Sequence, residues 1–202
     1  PTIYIDHACL VTGYRFEDAL IDPSRGAKCM LEAALKYKAD AVRFCLGPEE
    51  SWYQNKIVKD EDGGLVQYDK ATGRREGIYD VSGGGKFIEA EPPESVKTIT
   101  DVNRIEVLKA DDYLERGCLD TVKQCVDRSH ENDIFAIGMS SSQTINFMVA
   151  EMGSTEAALL CFYDDPDLAL ALIDKAVEIS IEKGKAFIRA GVDCLYIGDS
   201  YA

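Results

Sequence analysis

The 202-residue sequence has no Cys-x-x-Cys pair, no long apolar run and few basic side chains, and each absence excludes something. Its seven cysteines (Cys9, Cys29, Cys45, Cys118, Cys125, Cys161, Cys194) are odd in number, and most sit inside apolar helical or strand patterns. Such a distribution reads as reduced, buried thiols of a cytoplasmic protein and not as a disulfide framework. No stretch reaches the roughly 18 uninterrupted apolar residues that a membrane span needs, so no membrane partner is expected. The opening Pro-Thr-Ile-Tyr-Ile lacks the charged region, apolar core and cleavage site of a signal peptide. It also lacks a Met and begins inside a strand-like pattern, so residues upstream are expected. Lys and Arg number 22 against 36 Asp and Glu, a net charge of −14. A surface this acidic repels phosphate backbones and argues against nucleic acid as a partner.

What remains is a chain with 46% hydrophobic residues, enough for one sizeable core. Thr2–Ile5 reads as a first strand, ending at Asp6-His7. Asp22-Pro23 pairs an N-cap with a proline at the first helical position. It opens a helix that runs into a strand at 40–45, closed by Gly47-Pro48. Over 52–90 the character changes: alternating segments separated by Asp62-Gly63-Gly64 and Ala71-Thr72-Gly73 predict an inserted β-hairpin excursion. Ser82-Gly83-Gly84-Gly85-Lys86 superficially resembles a phosphate cradle but lacks the required spacing, and reads as a hairpin exit. The α/β rhythm then resumes, with a helix from Asp111 or Asp112 to about His130, a strand at 134–137 and helices near 144–150 and 155–162. Asp165-Pro166 opens a long helix to Ala190, and a last strand covers 193–197. Buried strands alternating with amphipathic helices predict a parallel sheet. A (β/α)8 barrel takes about 250 residues, so 202 residues with an excursion would hold an incomplete one.

In such folds chemistry gathers at the C-terminal ends of strands. Those ends are read as Asp6-His7-Ala8-Cys9, Leu46-Gly47, Gly138-Met139-Ser140 and Gly198-Asp199-Ser200. Asp199 and Ser200, a carboxylate and a hydroxyl after an apolar run, are the candidate catalytic pair; a helix cap is the competing reading. Asp6, His7, Met139 and Phe147 are candidate substrate-binding residues. His7 and Cys9 stand at strand spacing, but two ligands do not make a metal site, and no metal ligand is assigned. Lys183 and Lys185 read as a solvated helix face.

Four segments in order resemble the uroporphyrinogen decarboxylase superfamily of (β/α)8 barrels: Arg15–Asp18 with Asp22-Pro23 and Lys38–Val42, then Phe135–Gly138 with Asn146–Val149. Asp165-Pro166 through Val192-Asp193 follows, and then Ile197 to Ala202. The resemblance implies one TIM-barrel domain, of which residues 1–202 are the N-terminal part. The superfamily's decarboxylases carry an arginine pair after the first strand, where this sequence has Asp6-His7-Ala8-Cys9-Leu10. They place an Asp near Gly47 and a tyrosine at Phe147; only Ser200 keeps a matching functional residue. By elimination the resemblance implies a methyltransferase moving a methyl group between a small substrate or thiol and a corrinoid protein. Zinc ligands are then expected beyond residue 202, and no cofactor within this chain. The alternatives are a porphyrin-pathway decarboxylase, disfavoured by the lost arginines, and a noncatalytic barrel that binds a corrinoid protein.

Overall fold

A computed structural model describes residues 5–61, 64–80, 86–91, 95–140 and 144–198. The chain opens on α1 (Ile5–Thr12), α2 (Phe16–Ile21) and α3 (Pro23–Tyr37), followed by β1 (Ala41–Phe44). A short α4 (Glu50–Asn55) leads into β2 (Lys56–Glu61), β3 (Gly64–Asp69), β4 (Arg75–Asp80) and β5 (Lys86–Glu89). Helices α5 (Ile99–Arg104), α6 (Ala110–Glu115) and α7 (Asp120–His130) precede β6 (Phe135–Met139). Then come α8 (Thr144–Met152), α9 (Thr155–Asp164), α10 (Pro166–Arg189) and β7 (Cys194–Tyr196).

The first segment corrects the reading of residues 5–10, which are helix and not the end of a strand. Ile5, Ala8, Cys9 and Thr12 recur at helical spacing, and Ala8 and Cys9 are buried in the cluster that includes α3. Asp6 stands in the first turn, where a negative charge complements the helix dipole. Gly13, at φ +81°, ends the helix in a conformation that favours glycine. Residues 2–4 of the expected strand lie outside the described residues.

Asp22 caps α3 as expected: its carboxylate accepts from the Ser24 N–H at 2.9 Å, with Pro23 in the first turn. Asp165 repeats the device on α10 by accepting from the Leu168 N–H at 3.0 Å. The single helix expected over 111–130 is two, because Gly117 at φ +77° turns the chain out of α6 before α7 begins. α6 starts at Lys109, whose backbone N–H donates to the Asp112 carboxylate at 2.7 Å.

Two sheets result. β1, β6 and β7 lie side by side in that order and all parallel, whereas β2 to β5 form a sequential antiparallel sheet. The described chain is thus a mixed α/β molecule. On the antiparallel sheet Lys56 Nζ donates to Glu76 at 2.5 Å, Gln67 donates to the same carboxylate at 3.0 Å, and Tyr79 donates to Gln67 at 2.7 Å. Gln67 is buried, and this chain of partners satisfies its amide, as a buried polar group requires.

The main core lies between α1, α3, α7 and one face of the parallel sheet, and includes Leu31, Phe44, Val122, Ala136 and Phe187. A second cluster joins Val102 of α5 to Met148, Ala158, Leu168 and Leu172 of α8, α9 and α10. Fully burying a side chain such as Phe187 contributes about 1.5–3 kcal/mol. α10 packs on β6 by a close approach: a Cβ built on Gly138 would stand 2.6 Å from Phe187 Cγ. The cysteines carry no disulfide; Cys45 and Cys194 are exposed and the other five buried.

Candidate functional site at the strand ends

Side chains alternate across a strand, so burial of one row on the parallel sheet exposes the next. Val42 and Phe44 of β1, with Ala136 and Gly138 of β6, face the helices. Leu195 of β7 does the same, lying against Gly184 of α10. The opposite face carries Arg43 and Cys45, Ile137 and Met139, and Cys194 and Tyr196, in register across the three strands. It is the less covered face of the sheet; Tyr196 is 44% exposed.

At the C-terminal end of this face four of these side chains converge. Cys45 Sγ lies 3.5 Å from Met139 Sδ, and the Arg43 guanidinium reaches across β6 to stand 5.4 Å from the centroid of the Tyr196 ring. That separation is within cation–π range. Among the described residues no carboxylate lies within ion-pair distance of Arg43, although Arg25, Arg116 and Arg189 each pair with acids. Crowding at the strand end raises the Cys45 thiol pKa, and the Arg43 charge pulls it back in part.

The structure distributes the expected site residues unevenly. Met139 stands at the strand-end cluster. Asp199 and Ser200 lie outside the described residues, which reach Gly198 beyond β7. Asp6 and His7 lie in the first turn of α1, and not in the three-stranded parallel sheet. His7 Nε2 is instead 2.9 Å from the Tyr37 hydroxyl at the end of α3, with the two rings stacked. On a helix His7 and Cys9 point about 200° apart, so they cannot share a metal ion. Among the described residues no three His, Cys, Asp or Glu side chains are grouped to hold one. Phe147 packs against the second core cluster from α8. Lys183 is half-buried rather than solvated, and burial lowers its pKa.

Arg43, Cys45 and Tyr196 were not among the expected site residues. One signal pointed to the first of them: a lone charge inside the apolar run Ala41-Val42-Arg43-Phe44-Cys45 contradicts a strand buried on both faces. Two other concavities, of about 300 and 320 Å³, share Trp52 and Lys56 as walls between the antiparallel sheet and the α2–α3 corner. Much of their charge is internally paired, Lys56 with Glu76, Arg74 with Glu91 and Arg25 with Asp18 and Asp22. Tyr53 closes the second by donating to Asp22 at 2.7 Å, and burial pushes its hydroxyl up to about 12.

Parallel strands joined through helices, with polar and sulfur side chains gathered at their C-terminal ends, define an α/β protein of the kind that carries enzyme sites. Residues 84–202 match the uroporphyrinogen decarboxylase (URO-D) family. Uroporphyrinogen decarboxylases of Helicobacter pylori strains Shi470 and G27 are each 30% identical to this chain over 121 residues. Those residues are 58% of this chain and 36% of each relative. The chain belongs to the uroporphyrinogen decarboxylase family, and it matches about a third of the length of these curated relatives. No helix among the described residues is long and apolar enough to cross a membrane.

Proposed function

We propose that this chain forms part of a URO-D-type carboxy-lyase that removes carbon dioxide from a small organic acid at the C-terminal ends of β1, β6 and β7. The observation that carries the reading is the convergence of Arg43, Cys45, Met139 and Tyr196 from three parallel strands at that end. The relatives' names supply the reaction type. In this reading the three-stranded parallel sheet is an arc of a (β/α)8 barrel and its open face is the barrel interior. Asp199 and Ser200 follow β7 in the sequence. Asp199 would return a proton to the carbon that loses the carboxylate, and Ser200 would orient the substrate by a hydrogen bond.

Methyl transfer to or from a corrinoid protein is the second reading. It is favoured by the departures at two positions: α1 carries Asp6 and His7 in place of the arginine pair, and Phe147 has no hydroxyl. A zinc ion would be the activating group in that chemistry. The described residues do not supply its ligand set, so no step is routed through it. The two readings separate on the full-length protein. Release of carbon dioxide from uroporphyrinogen or from a panel of small organic acids supports the first, and Asp199→Asn and Ser200→Ala should then lower turnover about 100-fold or more. Methylation of cob(I)alamin from a methyl-donor panel, with no carbon dioxide released, supports the second.

A further inference from the structure

We infer that Arg43 is the specificity residue of the strand-end face and anchors a carboxylate of the ligand bound there. The inference rests on the proposal that this face is the working one. Three features of the guanidinium carry it. It projects from the middle of a four-residue strand whose other side chains are apolar, onto the face away from the helices. Among the described residues no acid lies within ion-pair distance of it, in a chain carrying 36 acids. Arg75 and Arg128 likewise make no ion pair among the described residues, but Arg43 is set within an otherwise apolar strand of the parallel sheet. Finally, it stands over the Tyr196 ring at 5.4 Å. The ring's π face attracts the cation but accepts no in-plane N–H pair, so the fork that binds a planar carboxylate at two points is left for a ligand. Met139 and Cys45 beside it are soft and weakly polar, and poor competition for that fork.

Cys45 makes the inference measurable without any assumption about turnover. An anion drawn to Arg43 arrives on the face that carries the exposed Cys45 thiol, which feels the Arg43 charge, and the same thiol in urea-unfolded protein provides the reference. Iodoacetate is a carboxylate and iodoacetamide its uncharged counterpart. With either, the Cys45 thiolate displaces iodide, an S–CH2 bond replaces the C–I bond, and the thiol proton goes to solvent. The ratio of iodoacetate to iodoacetamide rates at Cys45 in the native protein, divided by that in urea-unfolded protein, cancels intrinsic reagent differences. Peptide mass spectrometry after brief labelling reads the site in both states.

The expected ratio is about 5-fold or more in favour of iodoacetate at Cys45, because a focused positive charge raises the local anion concentration by about 10-fold or more. Arg43→Gln should bring the ratio to about one and Arg43→Lys should keep part of it, since a lysine retains charge but not the fork. Succinate should protect Cys45 from iodoacetate in the wild type, and succinamide should not. A ratio at Cys45 in the native wild type no higher than in the unfolded chain, or equal protection by succinamide, would overturn the inference. Both comparisons use unaltered protein, so they stand even if Arg43→Gln does not fold. Carbon dioxide release together with equal labelling ratios removes Arg43 alone. A biased labelling ratio without carbon dioxide release removes the reaction and keeps the anchor.

Discussion

Gly138 has no room for a side chain, and the cost of giving it one can be worked from its neighbours. A Cβ there would stand 2.6, 2.7 and 2.9 Å from Phe187 Cγ, Cδ1 and Cβ, well inside contact distance. Neither side can yield easily. Gly138 is held in register between Phe44 of β1 and Leu195 of β7, and Phe187 is fully buried on α10. Gly138→Ala should therefore cost about 1–3 kcal/mol, the usual range for overpacking. Phe187→Ala empties the site from the other side and should cost about 3–5 kcal/mol. The double variant is the informative one, because the new methyl then enters space that the ring has vacated. Its loss should fall short of the sum of the singles by about 1–2 kcal/mol, a coupling typical of residues in contact. Urea unfolding followed by far-UV circular dichroism at neutral pH gives the three differences. A Gly138→Ala variant as stable as the wild type, or a double variant whose loss equals the sum of the singles, would refute the packing of α10 on β6.

Three further outcomes follow from other parts of the molecule. The uncharged 4,4′-dithiodipyridine should find two fast thiols in the native protein, Cys194 ahead of Cys45, whose pKa is raised; the other five should react only on unfolding, Cys9 being pushed up to about 12 chiefly by burial. Asp193 accepts from the Ala136 N–H at 2.7 Å and stands 3.1 Å from His130 Nε2, and these bonds, the backbone one foremost, hold its carboxyl below the usual carboxylate pKa. Its contribution is therefore present above the unfolded value near pH 4 and lost as pH falls through the folded one. Asp193→Asn should cost about 1 kcal/mol at pH 7 and progressively less toward pH 3, as read by urea midpoints. Asp22→Ala should cost about 1–2 kcal/mol, since it removes the α3 cap together with the acceptor for Tyr53; thermal unfolding monitors the loss, and an unchanged midpoint would count against the cap.

The two Asp-Pro starts, the parallel strands at 41–44 and 135–139 and the long last helix were legible because capping chemistry and period act locally. The α1 helix was not. The β-branched and aromatic run Thr2-Ile3-Tyr4-Ile5 reads as a strand, and the burial of Ala8 and Cys9 against α3 goes with helix from Ile5 onward. The single helix expected up to His130 failed for a related reason: Leu114, Cys118, Val122 and Cys125 recur at helical spacing, but the left-handed Gly117 parts α6 from α7. At the strand ends Met139 could be placed from its position after an apolar run. Arg43 and Tyr196 could not, since their pairing joins strands far apart in the chain, and no local pattern records which rows of a sheet share a face.

The separation between those strands has a kinetic consequence. Cys45 and Met139, which touch at the strand ends, are 94 residues apart in the chain, whereas every neighbour pair in the antiparallel sheet is consecutive. Loop-closure entropy delays contacts of high sequence separation, and local ones form first. The β2–β5 sheet can therefore organise before β6 finds β1. The cluster of Arg43, Cys45, Met139 and Tyr196 would then assemble last, so ligand binding at the strand ends should return later than the β-sheet signal when the protein refolds from urea.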